Sequence, residues 1–262
     1  MRADQGVSIA DPLHGLERTK RGVYDRAFSE RSLLILCIAL GTIQVWIVRY
    51  AMNQDGMSYL DVGDAYFRRD WGQAISGYWS PMYTWFLGLA LYVVKPSMWW
   101  ECITVHFVNL IIYFVALFAF RFFLHSILRA LRDNEAESAD DSRPLPESLL
   151  CGLGYCTFLW ALLVLIDAGD ITPDLLVASF LFLIAGYLVD LRYHESYRKF
   201  AMFGGLCGAA YLSKAAMFPI GCGLLAILLF SGRITRRRVL GVLLAAVTVS
   251  YTHLRAHETG RN

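Results

Sequence analysis

Three polar stretches interrupt an otherwise apolar chain, and they hold the residue types that chemistry needs. The first is Asp55-Gly-Met-Ser-Tyr-Leu-Asp-Val-Gly-Asp64, followed by Ala-Tyr-Phe-Arg68. Its pattern predicts a short helix over Ser58–Phe67 lying on a membrane, with Tyr59, Val62 and Tyr66 on one face. Asp55 stands just before that helix, where the dipole favours a carboxylate. It reads equally as an N-terminal cap or as a general base near a membrane surface. Asp61 reads as a surface residue, and Asp64 and Arg68 as an i,i+4 surface pair. The second stretch is Asp167-Ala-Gly-Asp-Ile-Thr-Pro-Asp174. Its three carboxylates could bind a divalent cation or hold basic partners. It is also a good helix start, with Thr172 as cap, Pro173 at the first position and Asp174 in the first turn. The third is Gly204-Gly-Leu-Cys-Gly-Ala-Ala-Tyr-Leu-Ser-Lys214. Gly204 and Gly208 make a small-xxx-small helix face. Lys214, at a span end, must either reach water or meet an anion such as a lipid-borne phosphate. A fourth segment, Tyr78-Trp79-Ser80-Pro81-Met82-Tyr83-Thr84-Trp85, could line a groove for an isoprenoid chain or a sugar, or anchor the chain at the interface.

The elements that must position these residues follow from composition. Of 262 residues 56% are hydrophobic and 14% aromatic, far more than a soluble core of this length requires. The apolar residues come in long runs separated by short charged stretches, the pattern of membrane spans. The six cysteines all lie inside apolar runs, with no His or Cys cluster beside Cys151 and Cys156, so neither a disulfide framework nor a metal-thiolate site is expected. The basic run Arg236–Arg238 is a topology signal and gives no reason to invoke nucleic acid.

Apolar runs cover Leu33–Val48, Met82–Val94, Cys102–Phe123, Leu149–Ile166, Leu175–Val189, Phe200–Leu212, Ala215–Phe230 and Val239–Val249. Several are shorter than the roughly 20 residues that cross hydrocarbon upright, so length alone does not say which cross. Charge does. Arg18, Lys20, Arg21, Arg26 and Arg31 precede the first run and hold the N-terminus in the cytoplasm. If Met82–Val94 crossed, the loops carrying Arg129 and Arg132, Arg198 and Lys199, and Arg236–Arg238 would all face outward. If it instead lies at the outer interface, between Pro81 and Lys95-Pro96, all three return to the cytoplasm. The expected fold is therefore an all-α integral membrane protein of about seven transmembrane helices, with interfacial helices in a long first outward loop. Residues 1–31 form a cytoplasmic segment and 32–250 the transmembrane module, with 53–101 the outward loop and 124–148 a solvated cytoplasmic linker. Residues 251–262 are a polar tail with no pattern that continues the preceding sequence.

Several short motifs, in order, resemble the GT-C superfamily of membrane glycosyltransferases. They are an outward Asp followed by Ser-Tyr-Leu-Asp, then Tyr-Trp-Ser-Pro-Met-Tyr, Thr-Pro-Asp-Leu-Leu at a span start, and Gly-Leu-Cys-Gly-Ala-Ala-Tyr-Leu-Ser-Lys. The resemblance runs from about Leu33 to Phe230 and is nearest to protein mannosyltransferases and lipid A aminoarabinose transferases. It implies a bacterial inner-membrane enzyme that moves a sugar from a polyprenyl-phosphate donor to a glycan, lipid or protein acceptor, with inversion. By the same resemblance Asp55 is the general base, Asp174 positions substrate or a divalent cation, and Lys214 stabilises the departing phosphate. Tyr59, Trp79 and Asp61 fall among the substrate-binding positions. Where many family members have two adjacent acidic residues, here Asp55 is followed by Gly56, which makes Asp61 the alternative base. Family members usually continue with further spans, so the chain reads as incomplete. A transporter or channel subunit, or a non-catalytic scaffold, are the competing readings; neither an inverted repeat nor mid-span charges support transport.

Overall fold

The computed structural model describes residues 12–75, 78–137, 146–230, 236 and 239–247, with side chains from Glu30 onward except those of 135–137. Every element is helical. In chain order they are α1 Pro12–Ile47, α2 Gln54–Arg68, α3 Trp71–Ala74, α4 Pro81–Val94 and α5 Met98–Glu137. Then come α6 Glu147–Trp160, continued by a π-helical turn Ala161–Leu165, α7 Asp174–Tyr193, α8 Tyr197–Ser213 and α9 Met217–Phe230. Residues 239–247 are helical as well. Four stretches are long and apolar enough to cross a bilayer: Glu30–Ile47, Met98–Asn134, Glu147–Leu165 and Asp174–Tyr193. The chain is thus a multi-pass membrane protein. The expectation of about seven crossings is met only in part. At 17 and 14 residues, α8 and α9 reach about 26 and 21 Å, short of a hydrocarbon core of about 30 Å.

The central element is α5, which packs against α1, α4, α6 and above all α7. Its Tyr113 lies over Gly41 of α1, where a Cβ would meet the ring at 2.2 Å, and its hydroxyl donates to the Cys37 carbonyl at 2.8 Å. The core between α5, α6 and α7 is aromatic: Phe120 sits 4.9 Å from Phe158, 5.3 Å from Phe182 and 5.4 Å from Tyr155 between ring centroids. A second apolar cluster joins α7, α8, α9 and residues 239–247 around Phe200, Phe203, Leu228 and Ala245. Gly204 and Gly208 lie on the buried face of α8, as their spacing predicts.

The two ends of the bundle differ in charge. At one end Glu30 accepts from Arg121 at 2.8 Å and lies 2.9 Å from the His125 ring nitrogen. Arg132 pairs with Glu147 at 2.5 Å and Lys199 with Asp190 at 2.6 Å. Within the stretch 124–148, α5 stays helical to Glu137, and Arg132 ties its last turns to Glu147 at the start of α6. α1 begins at Pro12 and runs without a break into the first candidate span. Residues 251–262, and Arg237 and Arg238 of the basic run, lie outside the described residues.

At the opposite end lie α2, α3, α4, the loop between α6 and α7, and Lys214. Three residues join Val94 to Met98, so α4 must run back along the first turns of α5. Tyr83 near its start accordingly meets Asn109 of α5, its hydroxyl donating at 2.7 Å. Met82 receives a 3.3 Å contact from the Ser213 hydroxyl at the end of α8. α4 therefore lies antiparallel to the first eleven residues or so of α5, and its start also meets the end of α8. At 14 residues α4 is shorter than the four candidate spans.

Candidate functional site

The site grows from the start of α2. Asn53 takes extended backbone angles (φ −88°, ψ 163°), and its side-chain oxygen accepts from the Gly56 N–H at 2.9 Å. That is an N-cap, so the capping reading of Asp55 is wrong: Asn occupies the β-region position and Asp55 falls in the first turn. The helix starts at Gln54, four residues earlier than its hydrophobic pattern indicates. Asp55 is exposed and has no hydrogen-bond or ion-pair partner among the described residues. One turn on, Tyr59 points inward. Its ring meets Trp79 edge-on at 4.7 Å and Tyr83 at 5.1 Å. Burial, and then the Asp55 and Asp174 carboxylates nearby, push its phenol up to about 12. Tyr59 and Val62 were expected to face a membrane. Both instead are buried, and α2 packs along α4. Two glycines allow this. A Cβ on Gly88 would stand 2.5 Å from the Gly63 carbonyl oxygen, and one on Gly63 2.9 Å from that of Thr84.

The second part is the loop between α6 and α7. The π-helical turn ends α6, and Asp167 then takes a left-handed conformation (φ 57°), which Asp tolerates better than most residues. Its Oδ1 accepts from the Gly169 N–H at 2.9 Å and from Gln44 Nε2 of α1 at 2.8 Å. Asn109, fully buried, donates to the Asp170 carbonyl at 2.8 Å while accepting from Tyr83. His106 Nε2 lies 2.9 Å from the Ala51 carbonyl, so that nitrogen carries the proton. Burial, and then the Asp167 carboxylate, hold the Asp170 carboxyl above its ordinary range. The helix α7 starts at Asp174 with Pro173 in the cap position, and Thr172 makes no capping bond. Asp174 therefore occupies the first helical position, where the dipole favours an anion.

Lys214 completes the group. The chain leaves α8 there in an extended conformation (φ −159°, ψ 127°), and its ammonium donates to Asp174 Oδ1 at 2.5 Å. Both side chains keep substantial exposure, 47% for the lysine and 38% for the aspartate. So Asp55, Tyr59, Trp79, Asp174 and Lys214, from four separate stretches, are brought into one neighbourhood around the Tyr59 ring. Asp61 is not. It sits on another face of α2, in a cleft with Asp64, Lys95 and Glu101. Asp64 pairs with Arg68 at 2.9 Å, as the spacing predicts.

No protein-family model, curated protein or solved structure matches the chain.

The geometry alone must therefore carry the chemistry. An open carboxylate, a half-buried indole and an ion-paired lysine lie at one end of a membrane bundle, with a buried phenol beneath them. They could take up a proton, stack on an apolar or sugar face, and compensate an anion. The three carboxylates of 167–174 do not gather as a cation site: Asp167 is used by Gln44 and the loop backbone, and Asp174 by Lys214. Among the described residues no three His, Cys, Asp or Glu side chains are placed to hold a metal. The positioning residues Gln44, His106 and Asn109 escaped the sequence reading. Their signal was present, since a polar residue inside an apolar run requires a partner.

Proposed function

We propose that the chain is a GT-C-type membrane glycosyltransferase, moving a sugar from a polyprenyl-phosphate donor to an acceptor at the face opposite the cytoplasm. The observation that supports this most is the convergence of Asp55, Asp174 and Lys214 around Tyr59, from three separate stretches of the chain. In this reading Asp55 is the general base that takes the acceptor hydroxyl proton; its lack of a partner leaves both oxygens available. Lys214 exchanges Asp174 for the phosphate as the sugar leaves, so positive charge meets the developing anion. Trp79, half-buried and backed by the buried Tyr59 ring, supplies the aromatic surface against which the transferred sugar or the first isoprene units rest. The basic end, with Arg121, Arg129, Arg132 and Lys199, faces the cytoplasm of a bacterial inner membrane.

Transfer from a radiolabelled polyprenyl-phosphate sugar pool, measured in membranes holding equal amounts of wild type or Asp55→Asn, tests the assignment. A loss of at least 100-fold in the variant is expected for a lost general base. Equal transfer would remove Asp55 from that role. Reporter fusions after Ser80 and after Ser148 test the sidedness: outward activity is expected for the first and cytoplasmic for the second. An outward report at Ser148 would put the site on the wrong side and sink the proposal.

A further inference from the structure

On the far side of α2 from Asp55, a cleft of about 280 Å³ opens between α2, the end of α4 and the start of α5. It is lined by the apolar Leu60, Leu91 and Pro96 and by the charged Asp61, Asp64, Glu101 and Lys95. A lysine among three carboxylates would ordinarily pair with one of them. Lys95 does not: among the described residues it has no carboxylate within ion-pair distance, and its ammonium lies over the Tyr92 ring at 5.7 Å. Lys95 is held there by its own backbone, in a left-handed conformation (φ 45°) that turns the chain from α4 into α5. Asp64 is turned toward Arg68, while Asp61 and Glu101 have no partner among the described residues. The cleft therefore keeps one positive and two free negative groups apart across open space. A ligand carrying both charges satisfies them together.

The rim says where such a ligand comes from. Tyr92, Val93 and Val94 end α4 with 57–69% of their surface exposed, and Met98, Trp99 and Trp100 open α5 with 61–89% exposed. Aromatic and branched apolar residues in that density, around a polar cleft, suit the boundary between headgroups and acyl chains. We infer that this corner dips into the membrane surface and that the cleft holds the headgroup of a zwitterionic, ethanolamine-type phospholipid. The ammonium faces Asp61 and Glu101, the phosphodiester faces Lys95, and the chains lie over the tryptophans.

Native mass spectrometry of the detergent-purified full chain tests this. The probes are a phosphatidylethanolamine, a phosphatidylglycerol of identical chains, and soluble phosphoethanolamine. We expect at least tenfold preferential retention of phosphatidylethanolamine over phosphatidylglycerol, and loss of that preference in Asp61→Asn/Glu101→Gln and in Lys95→Met. Competition by phosphoethanolamine at equal concentration would overturn the lipid assignment in favour of a free zwitterion. Equal retention of both lipids by the wild type, or an unchanged preference in the double variant, would overturn the site. Far-UV circular dichroism melts accompany the variants, and all three positions are at the surface or half-buried, so folding is expected to be intact. Asp55→Asn must retain the lipid preference, which separates this outcome from that of the transfer assay.

Discussion

Replacing Gly88 by alanine tests whether α2 is held in place by the backbone contact with α4. The added Cβ would meet the Gly63 carbonyl oxygen at 2.5 Å and its carbonyl carbon at 2.8 Å. Ordinary contact begins near 3.4 Å, so one helix must move by close to an ångström. Those two opposing atoms are backbone and cannot swing aside, and the Phe67 ring, with Cδ2 at 2.8 Å, would have to shift as well. Overpacking of this kind costs about 1–3 kcal/mol. Alanine returns up to about 1 kcal/mol through better helix propensity, which leaves a net loss of up to about 2 kcal/mol. Gly152→Ala and Gly205→Ala are the controls, since nothing lies within 4 Å of a Cβ at either position. They should gain the propensity and pay nothing. The assay is amide hydrogen exchange of α2 in the detergent-purified chain. A 1.4 kcal/mol loss is a tenfold change in the opening equilibrium, so exchange over Gly56–Ala65 should quicken roughly tenfold in Gly88→Ala. The controls should leave α2 unchanged. Because α2 carries Asp55 and Tyr59, any transfer activity should fall with it. Unchanged α2 protection in Gly88→Ala would refute the claim that this contact sets the position of the helix.

Three further outcomes follow from the same contacts. Asn109→Leu leaves the Tyr83 hydroxyl and the Asp170 carbonyl without their buried partner, and should cost about 2–4 kcal/mol in thermal unfolding, with the 167–173 loop losing protection first. The Asp170 carboxyl is raised by burial and by Asp167, so the folded chain holds its proton more tightly than the unfolded one. The stability this contributes is full at low pH and is lost as pH rises through the folded value. Asp170→Asn should therefore stabilise the loop at pH 7–8 and change little below the ordinary carboxyl value of 3.8, read as exchange rates corrected for intrinsic pH dependence. A double-mutant cycle of Asp174→Asn and Lys214→Met should give a coupling of no more than about 1 kcal/mol that shrinks with salt, because both groups stay partly in water. A coupling of several kcal/mol would mean that the pair is a structural lock and not a group available to a ligand.

How much of this was legible depends on whether a residue's partner is close in sequence. Asp64–Arg68 and the buried Gly204–Gly208 face follow from helix spacing alone, and both appear as expected. Caps were not legible. Asp55 and Asn53 are both competent N-cap residues, and only the backbone angles at position 53 decide between them. The burial of Tyr59 was misread for a similar reason: an amphipathic helix shows that it has an apolar face, but not whether lipid or another helix covers it. The cover is α4, and the permission for it is a pair of glycines 25 positions apart. Asn109 shows the same limit from the other side. Its position within an apolar run demanded a partner, yet the partners, Tyr83 and Asp170, lie 26 and 61 residues away. These long-range bonds join α4 and the acidic loop to α5. They place Trp79 and Tyr59 beside Asp174, and through it Lys214. The residues that would touch a ligand were readable from their chemistry; the residues that bring them together were readable only as polar atoms in need of partners. Any function assigned to this end of the bundle therefore rests as much on Gln44, His106 and Asn109 as on Asp55.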